Sequence, residues 1–293
     1  MTLSWKIRAA ALLASLAAAS GALAPLSAGA FLGPVSSESG TAVPAPFRSI
    51  SQLLRDEAAI NATRAEVTRL AAATPADEPL ARIVLGMERE SAAFNYREAI
   101  RAEQVDLLRV ATNPDLVDAV VRDAPTDLGI VVHDTAGAWH AIWHLAGIDE
   151  FNLVRIHPRP LDGAAPSAQL VHDYQDSAGH YQMDWTYLAS INFIESDFGR
   201  VNGPSSAGAL GPMQFMPATW AAYGSGGDVN NPKDAIEAAS RYLFLNGGRR
   251  NMQSAIFAYN HDLDYVLAVE YYADAIRHDP GWMERFYYWH TTG

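Results

Sequence analysis

Glu195 ends the run Ile194-Glu195-Ser196-Asp197-Phe198-Gly199 at the close of a predicted helix, a setting suited to proton transfer. At 100° per residue, Leu188, Ile191 and Asn192 fall within about 60° of it, so the carboxyl shares an inward, mainly apolar face. Shelter against Leu188, Ile191 and Phe198 would raise its affinity for a proton, and a sheltered acid of this kind can protonate a leaving oxygen near neutral pH. The alternative is a solvated carboxylate near a helix C-terminus, where the helix dipole disfavours it. Two further segments follow: Ser205-Ser206-Ala207-Gly208-Ala209-Leu210-Gly211-Pro212-Met213-Gln214, and Ala258-Tyr259-Asn260. Gly203, Gly208 and Gly211 permit tight turns that would fold the loop back toward Glu195 and present backbone amides and carbonyls to a ligand.

These three separated motifs, in this order, resemble the lytic transglycosylases, lysozyme-like enzymes that cut the glycan strands of bacterial peptidoglycan. The resemblance spans residues 182–276, about a third of the chain. It implies an all-α fold: a lysozyme-like (SLT) catalytic domain preceded by a small helical region. It also implies substrate-cleft roles for the serine before Gly-Ala, for Gln214 after Met213, and for the Tyr-Asn pair. Ser205 is the matching serine by count from Gly208, with Ser206 the alternative because the spacing from Glu195 is one residue longer than the pattern. Tyr259 would orient the acid or the bound N-acetyl group, and Asn260 would hold the loop or touch glycan. For the serines the plain alternative is loop-closing hydrogen bonding; for Tyr259 it is core packing. Gly211-Pro212-Met213-Gln214 in place of Gly-Leu-Met-Gln, and His261 after the Tyr-Asn pair, resemble the secreted envelope transglycosylases of high-GC Gram-positive bacteria.

The resemblance also implies the chemistry. Ordinary glycosidases use two carboxylates at set separations, whereas here Asp197 is two residues from Glu195 on another side of the helix. Asp228, Asp262 and Asp264 would have to be brought round by the fold. In the resembled family one Glu suffices. It protonates the bond between N-acetylmuramic acid and N-acetylglucosamine, then accepts the C6 hydroxyl proton as a 1,6-anhydro ring closes. No metal or organic cofactor is implied. The competing expectations are a hydrolytic lysozyme on the same fold and a glycan-binding scaffold without turnover.

The elements that must position this set read as helices. Asp184 is a candidate N-cap for a helix over 185–196. Met213 and Phe215 would pack beneath the loop, Pro217 would open a short helix through Tyr223, and Asn231-Pro232 would open another ended by Gly247. Asp228–Asn231 lacks the alternating oxygens of a calcium loop and reads as a turn. Asp262 would cap a helix packed through Val266, Val269, Tyr272, Ala273 and Ile276. The aromatic segment 282–289 is expected to fold back onto the domain, with a sugar-stacking platform as the alternative.

Upstream, Ile50, Leu53, Leu54 and Ala58, then residues 80–110, keep helical spacing. Asn113-Pro114 marks a helix start, and the region 48–165 ends in a Pro-rich joint before a catalytic domain over 166–293. His133, His140 and His144 share one helical face, and Trp139 and Trp143 interleave with them. An i, i+4 His pair can hold a metal, but with no Glu after His140 and no evident third ligand the better expectation is a surface stripe that packs on the catalytic domain or meets glycan.

Residues 1–30 carry Lys6 and Arg8, an apolar stretch over 9–24 and Ala28-Gly29-Ala30, the layout of a secretory signal peptide cleaved after Ala30. The apolar stretch is shorter than the roughly 20 residues that span a bilayer. Residues 31–47 read as a flexible linker. The expected location is therefore secreted or in the cell envelope, with peptidoglycan glycan strands as the partner. The N-terminal helical region is a candidate dock for an envelope protein. The chain has no cysteine, so disulfides and thiolate chemistry are absent. The net charge of -12, or -14 without Lys6 and Arg8, argues against nucleic-acid binding.

Overall fold

A computed structural model describes residues 44–74, 78–147, 163–201 and 203–289. The expected signal segment, most of the expected linker and most of the Pro-rich joint (residues 155–166) lie outside them. The described residues form helices, with one isolated antiparallel bridge between Leu210 and Phe215. They divide into two compact units, with the boundary in sequence between Gly129 and Ile130.

The first unit holds α1 (Ala45–Ala72), α2 (Pro79–Ala111) and α3 (Pro114–Asp123). Residues 45–47, assigned to the linker from sequence, instead open α1: prolines suit a first helical turn, whose N–H groups lack intrahelical acceptors. The buried stripe of α1 is Ile50, Leu53, Asp56, Ile60 and Leu70. Leu54 and Ala58, which the periodicity had placed with it, are exposed, and a carboxylate takes the inward position. Opposite, α2 buries Ala92, Tyr96, Ile100 and Leu107. Arg64 Nε donates to the Tyr96 hydroxyl at 3.0 Å. Arg89 donates to the Leu70 and Ala73 carbonyls at 2.9 and 2.8 Å, placing a cation over the unsatisfied end of α1. Asn113 caps α3 as its sequence suggested, its side chain accepting from Leu116 N at 3.1 Å.

The second unit holds Ile130 onward of α4 (Thr126–Ala146), then α5 (Ser167–Tyr181), α6 (Thr186–Ser196), α7 (Pro217–Tyr223), α8 (Pro232–Leu245), α9 (Met252–Tyr259), α10 (Leu263–His278) and α11 (Gly281–Trp289). The second half of α4 packs here, on the helices that follow residue 166. Trp139 stacks on Trp289 with ring centroids 5.1 Å apart, and a Cβ at Gly137 would strike the Tyr271 ring at 2.7 Å. Trp139 and Trp143 are thus core residues, not members of a surface stripe, while His133 and His144 stay exposed. His133 meets the edge of Tyr271, and His144 Nδ1 pairs with Asp264.

At the centre lies α6, buried along nearly its whole length from Thr186 to Ser196. A helix covered on all sides must satisfy its polar side chains internally. Ser190 Oγ donates to Thr186 O at 2.9 Å, and Asn192 Nδ2 donates to the Tyr174 hydroxyl at 2.7 Å. α10 and α5 flank it, and α11 completes the cover: Phe193 stacks on Phe286 at 5.5 Å and Trp282 is buried. The aromatic tail is core.

Candidate active site

Glu195 sits in the last turn of α6 and is 7 % exposed. The helix begins at Thr186, one residue later than expected, and Asp184 Oδ1 still accepts from Thr186 N at 3.0 Å. Beyond Ser196 the chain turns sharply through three left-handed residues, Asp197, Phe198 and Gly199, with φ of 50°, 59° and 89°. Such a conformation is unfavourable for a bulky side chain and persists only when its surroundings fix it. Here Phe198 is buried and stacks on Phe193 at 5.1 Å, while Asp197 is paired with buried Arg200 at 3.3 Å. Arg200 in turn lies 4.1 Å over the Tyr287 ring. Asp197 is thereby committed to the turn.

Tyr265 hydrogen-bonds the carboxylate, its hydroxyl donating to Glu195 Oε1 at 2.8 Å from the first turn of α10. Burial, and next the charge of Glu195, hold the Tyr265 hydroxyl well above the ordinary phenol range, so it remains an O–H donor. The same two causes, in the same order, raise Tyr259, which places that phenol within the electrostatic reach of Glu195 as well. Tyr259 spends its own hydroxyl differently, donating to Met213 O at 2.6 Å. Its ring packs against Tyr242 and Phe215.

Met213 belongs to the turn Gly211-Pro212-Met213-Gln214, closed by Gln214 N to Gly211 O at 3.1 Å and flanked by paired Leu210 and Phe215. Gly211 has φ of 72°, and a Cβ there would lie 1.8 Å from Val229 O. No side chain fits that position. Ser196 Oγ donates to Pro212 O, tying the turn to the end of α6 next to Glu195 in sequence. Met213 and Phe215 are buried, as expected. Gln214 is largely buried with φ of 54°; its Nε2 donates to Gly211 O at 2.6 Å, while Oε1 is enclosed without a partner. An orphaned buried acceptor of this kind suits a donor brought by a ligand.

The remaining sequence candidates have local tasks. Ser205 Oγ accepts from Ala207 N and Ala209 N at 3.2 and 2.8 Å, organising the turn before Leu210. Ser206 is exposed. Asn260 terminates α9, its N–H reaching Ile256 O at 3.0 Å. The other aspartates are engaged elsewhere: Asp228 caps a turn at Asn230, Asp262 caps α10, and Asp264 pairs with His144. The structure thus brings together Glu195, Tyr259, Tyr265 and, through Met213 and Ser196, the turn carrying Gln214. Tyr265 was missed from sequence. Its signal was present: Tyr265, Val269, Tyr272 and Ile276 continue one face of α10 at helical spacing.

A sheltered carboxylic acid held by a phenol, beside a rigid turn with an unpaired buried acceptor, can carry a proton to and from a polar substrate. Residues 174–271 match the family model described as the transglycosylase SLT domain. No curated protein and no solved structure matches the chain. The matched segment runs from Tyr174, the partner of α6, to Tyr271 on α10, and so contains the acid, the turn and both phenols. Residues 174–271 are therefore a lysozyme-like SLT domain, of the family of lytic transglycosylases that act on the glycan strands of peptidoglycan.

Proposed function

We propose that Glu195 is the single acid and base of this enzyme and that the product carries a 1,6-anhydro ring. The supporting observation is the buried carboxyl bonded to Tyr265, with the nearby aspartates committed to other partners. Glu195 donates its proton to the glycosidic oxygen between N-acetylmuramic acid and N-acetylglucosamine as the C1–O bond breaks. The muramic N-acetyl oxygen shares the positive charge developing at C1. The resulting carboxylate then accepts the C6 hydroxyl proton while O6 bonds to C1, which returns Glu195 to its acid form. Gln214 Oε1 is the acceptor for a sugar N–H or O–H, Tyr259 fixes the turn beneath it, and Ser205, Ser206 and Asn260 border the cleft. The N-terminal segment over 1–30 supports export to the cell envelope, where the substrate lies.

Mass spectrometry of digested peptidoglycan tests the chemistry: anhydro products are lighter by one water than the products of a hydrolase. Glu195→Gln should abolish turnover while glycan binding persists. Products at the hydrolysed mass would make the enzyme a lysozyme, and an unchanged rate in Glu195→Gln would remove the assignment of Glu195.

A further inference from the structure

The turn that ends α6 is more strained, and more heavily braced, than ending a helix requires. One left-handed residue, most often glycine, commonly ends a helix. Here Asp197 and Phe198 are both left-handed, at φ of 50° and 59°, ahead of Gly199. Two such residues in succession persist only where their surroundings impose the conformation. Arg200 supplies much of that constraint. Its Nη1 donates to Asp197 O and to Asp197 Oδ1, each at 3.3 Å. Its guanidinium lies 4.1 Å from the centre of the Tyr287 ring on α11, and the Tyr287 hydroxyl is itself anchored, donating to Ala165 O at 3.0 Å. Asp197 and Arg200 are 1 and 5 % exposed, so the pair faces the core and not a glycan. A buried ion pair is a poor source of stability, since apolar side chains of the same volume commonly do as well. What it can fix is a geometry.

We infer that Arg200 is a positioning residue for the reaction: it holds the turn over 197–199, and that turn sets where the Gln214 loop stands relative to Glu195. The role rests on the proposed acid Glu195 and the proposed sugar acceptor Gln214. Two contacts join the braced turn to the loop. Ser196 Oγ, which accepts from Gly199 N at 2.9 Å, donates to Pro212 O. Gly199 also lies against Pro212, where an added Cβ would come 3.3 Å from the Pro212 Cβ. Pro212 stands two residues before Gln214 in the turn closed by Gln214 N on Gly211 O. In the other direction the turn is bonded back onto the end of α6. Phe198 N donates to Asn192 O at 3.3 Å and Val201 N to Ser196 O at 2.9 Å, on either side of Glu195 in sequence. The acid and the Gln214 loop are thus placed by the same few residues, Ser196 to Arg200. If the turn relaxes, a sugar held at Gln214 moves off the acid. Lysine cannot take over this task. Its ammonium keeps the charge but lacks the planar group that covers the Tyr287 ring while bonding Asp197.

Steady-state kinetics of the full chain on soluble peptidoglycan fragments tests this, run well below the melting temperature of each variant. Arg200→Lys should lower kcat about tenfold or more with KM nearly unchanged, because substrate still binds but sits off the acid. Arg200→Met would take the cation from a buried carboxylate, so the second variant is Asp197→Gly/Arg200→Met. It removes both charges and gives position 197 a residue that takes positive φ freely. This double variant should fold, as circular dichroism and melting show, yet keep the low kcat, because nothing then holds the turn. A pair that served stability alone would leave the folded double variant at the wild-type rate. Glu195→Gln is measured alongside. If it is inactive while Arg200→Lys or the folded double variant keeps the wild-type kcat, or loses only in KM, the role of Arg200 alone is overturned. If Glu195→Gln is active, the acid is misassigned and the role of Arg200 falls with it.

Discussion

Tyr265→Phe isolates the contact on which the acid's setting depends. The change removes one oxygen from a fully buried ring and keeps its shape, so packing around α10 is preserved. What is lost is an O–H donated at 2.8 Å to a carboxyl of 7 % exposure. A hydrogen bond to a charged acceptor is worth about 1.5–3 kcal/mol. The phenol favours the ionised carboxylate over the acid, so removing it favours the protonated form. If Glu195 is the general acid, the alkaline limb of the pH–rate profile should move upward. The later step, in which the carboxylate takes up a proton from a bound hydroxyl, also loses an oriented base, and kcat should fall about ten- to hundredfold. KM should change little, because Tyr265 touches the acid and not the cleft wall. The assay is release of soluble fragments from purified peptidoglycan across pH, with melting temperature recorded alongside. A profile and a kcat both unchanged in a folded variant would refute the idea that Tyr265 governs the acid. A loss confined to thermal stability would reduce its role to packing.

Two further outcomes follow from the same structure. Gly211→Ala should destabilise the domain by about 3 kcal/mol or more, since it forces a Cβ onto Val229 O at positive φ; the melting temperature reports it, and a stable variant would mean the turn can be rebuilt. Asp56, pushed up to about 6 by burial first and by Asp106 next, binds its proton more tightly folded than unfolded. The resulting stabilisation is complete below the unfolded value of 3.8 and fades as pH rises toward 6. Asp56→Asn should therefore raise stability of the first unit at pH 7 by about 2 kcal/mol, and a melting curve that is flat between pH 4 and 7 in wild type would contradict this.

Much of the helical punctuation was legible because its causes are local. Asn113, Asn231 and Asp262 accept from backbone N–H groups two or three residues ahead, so residue type and position alone predict the helix starts. Gly211 announced a turn for an equally local reason, the need for positive φ. Periodicity did less well where a helix has more than one neighbour. It placed Trp139 and Trp143 on a surface stripe, but a helix covered from several sides buries both aromatics. It also gave α1 an apolar stripe through Leu54, where the packing chose Asp56.

The chain's own order of residues determined that there would be helices, that one carboxylic acid would close a helix ahead of a glycine-rich turn, and that no thiol would take part. Tertiary structure decided which phenol reaches that acid. Tyr259 and Tyr265 are six residues apart, on different helices joined at Asn260–Asp262. Sequence spacing cannot tell which hydroxyl faces Glu195 and which faces Met213. The packing of α10 against α6 settles it, a contact made across seventy residues of chain.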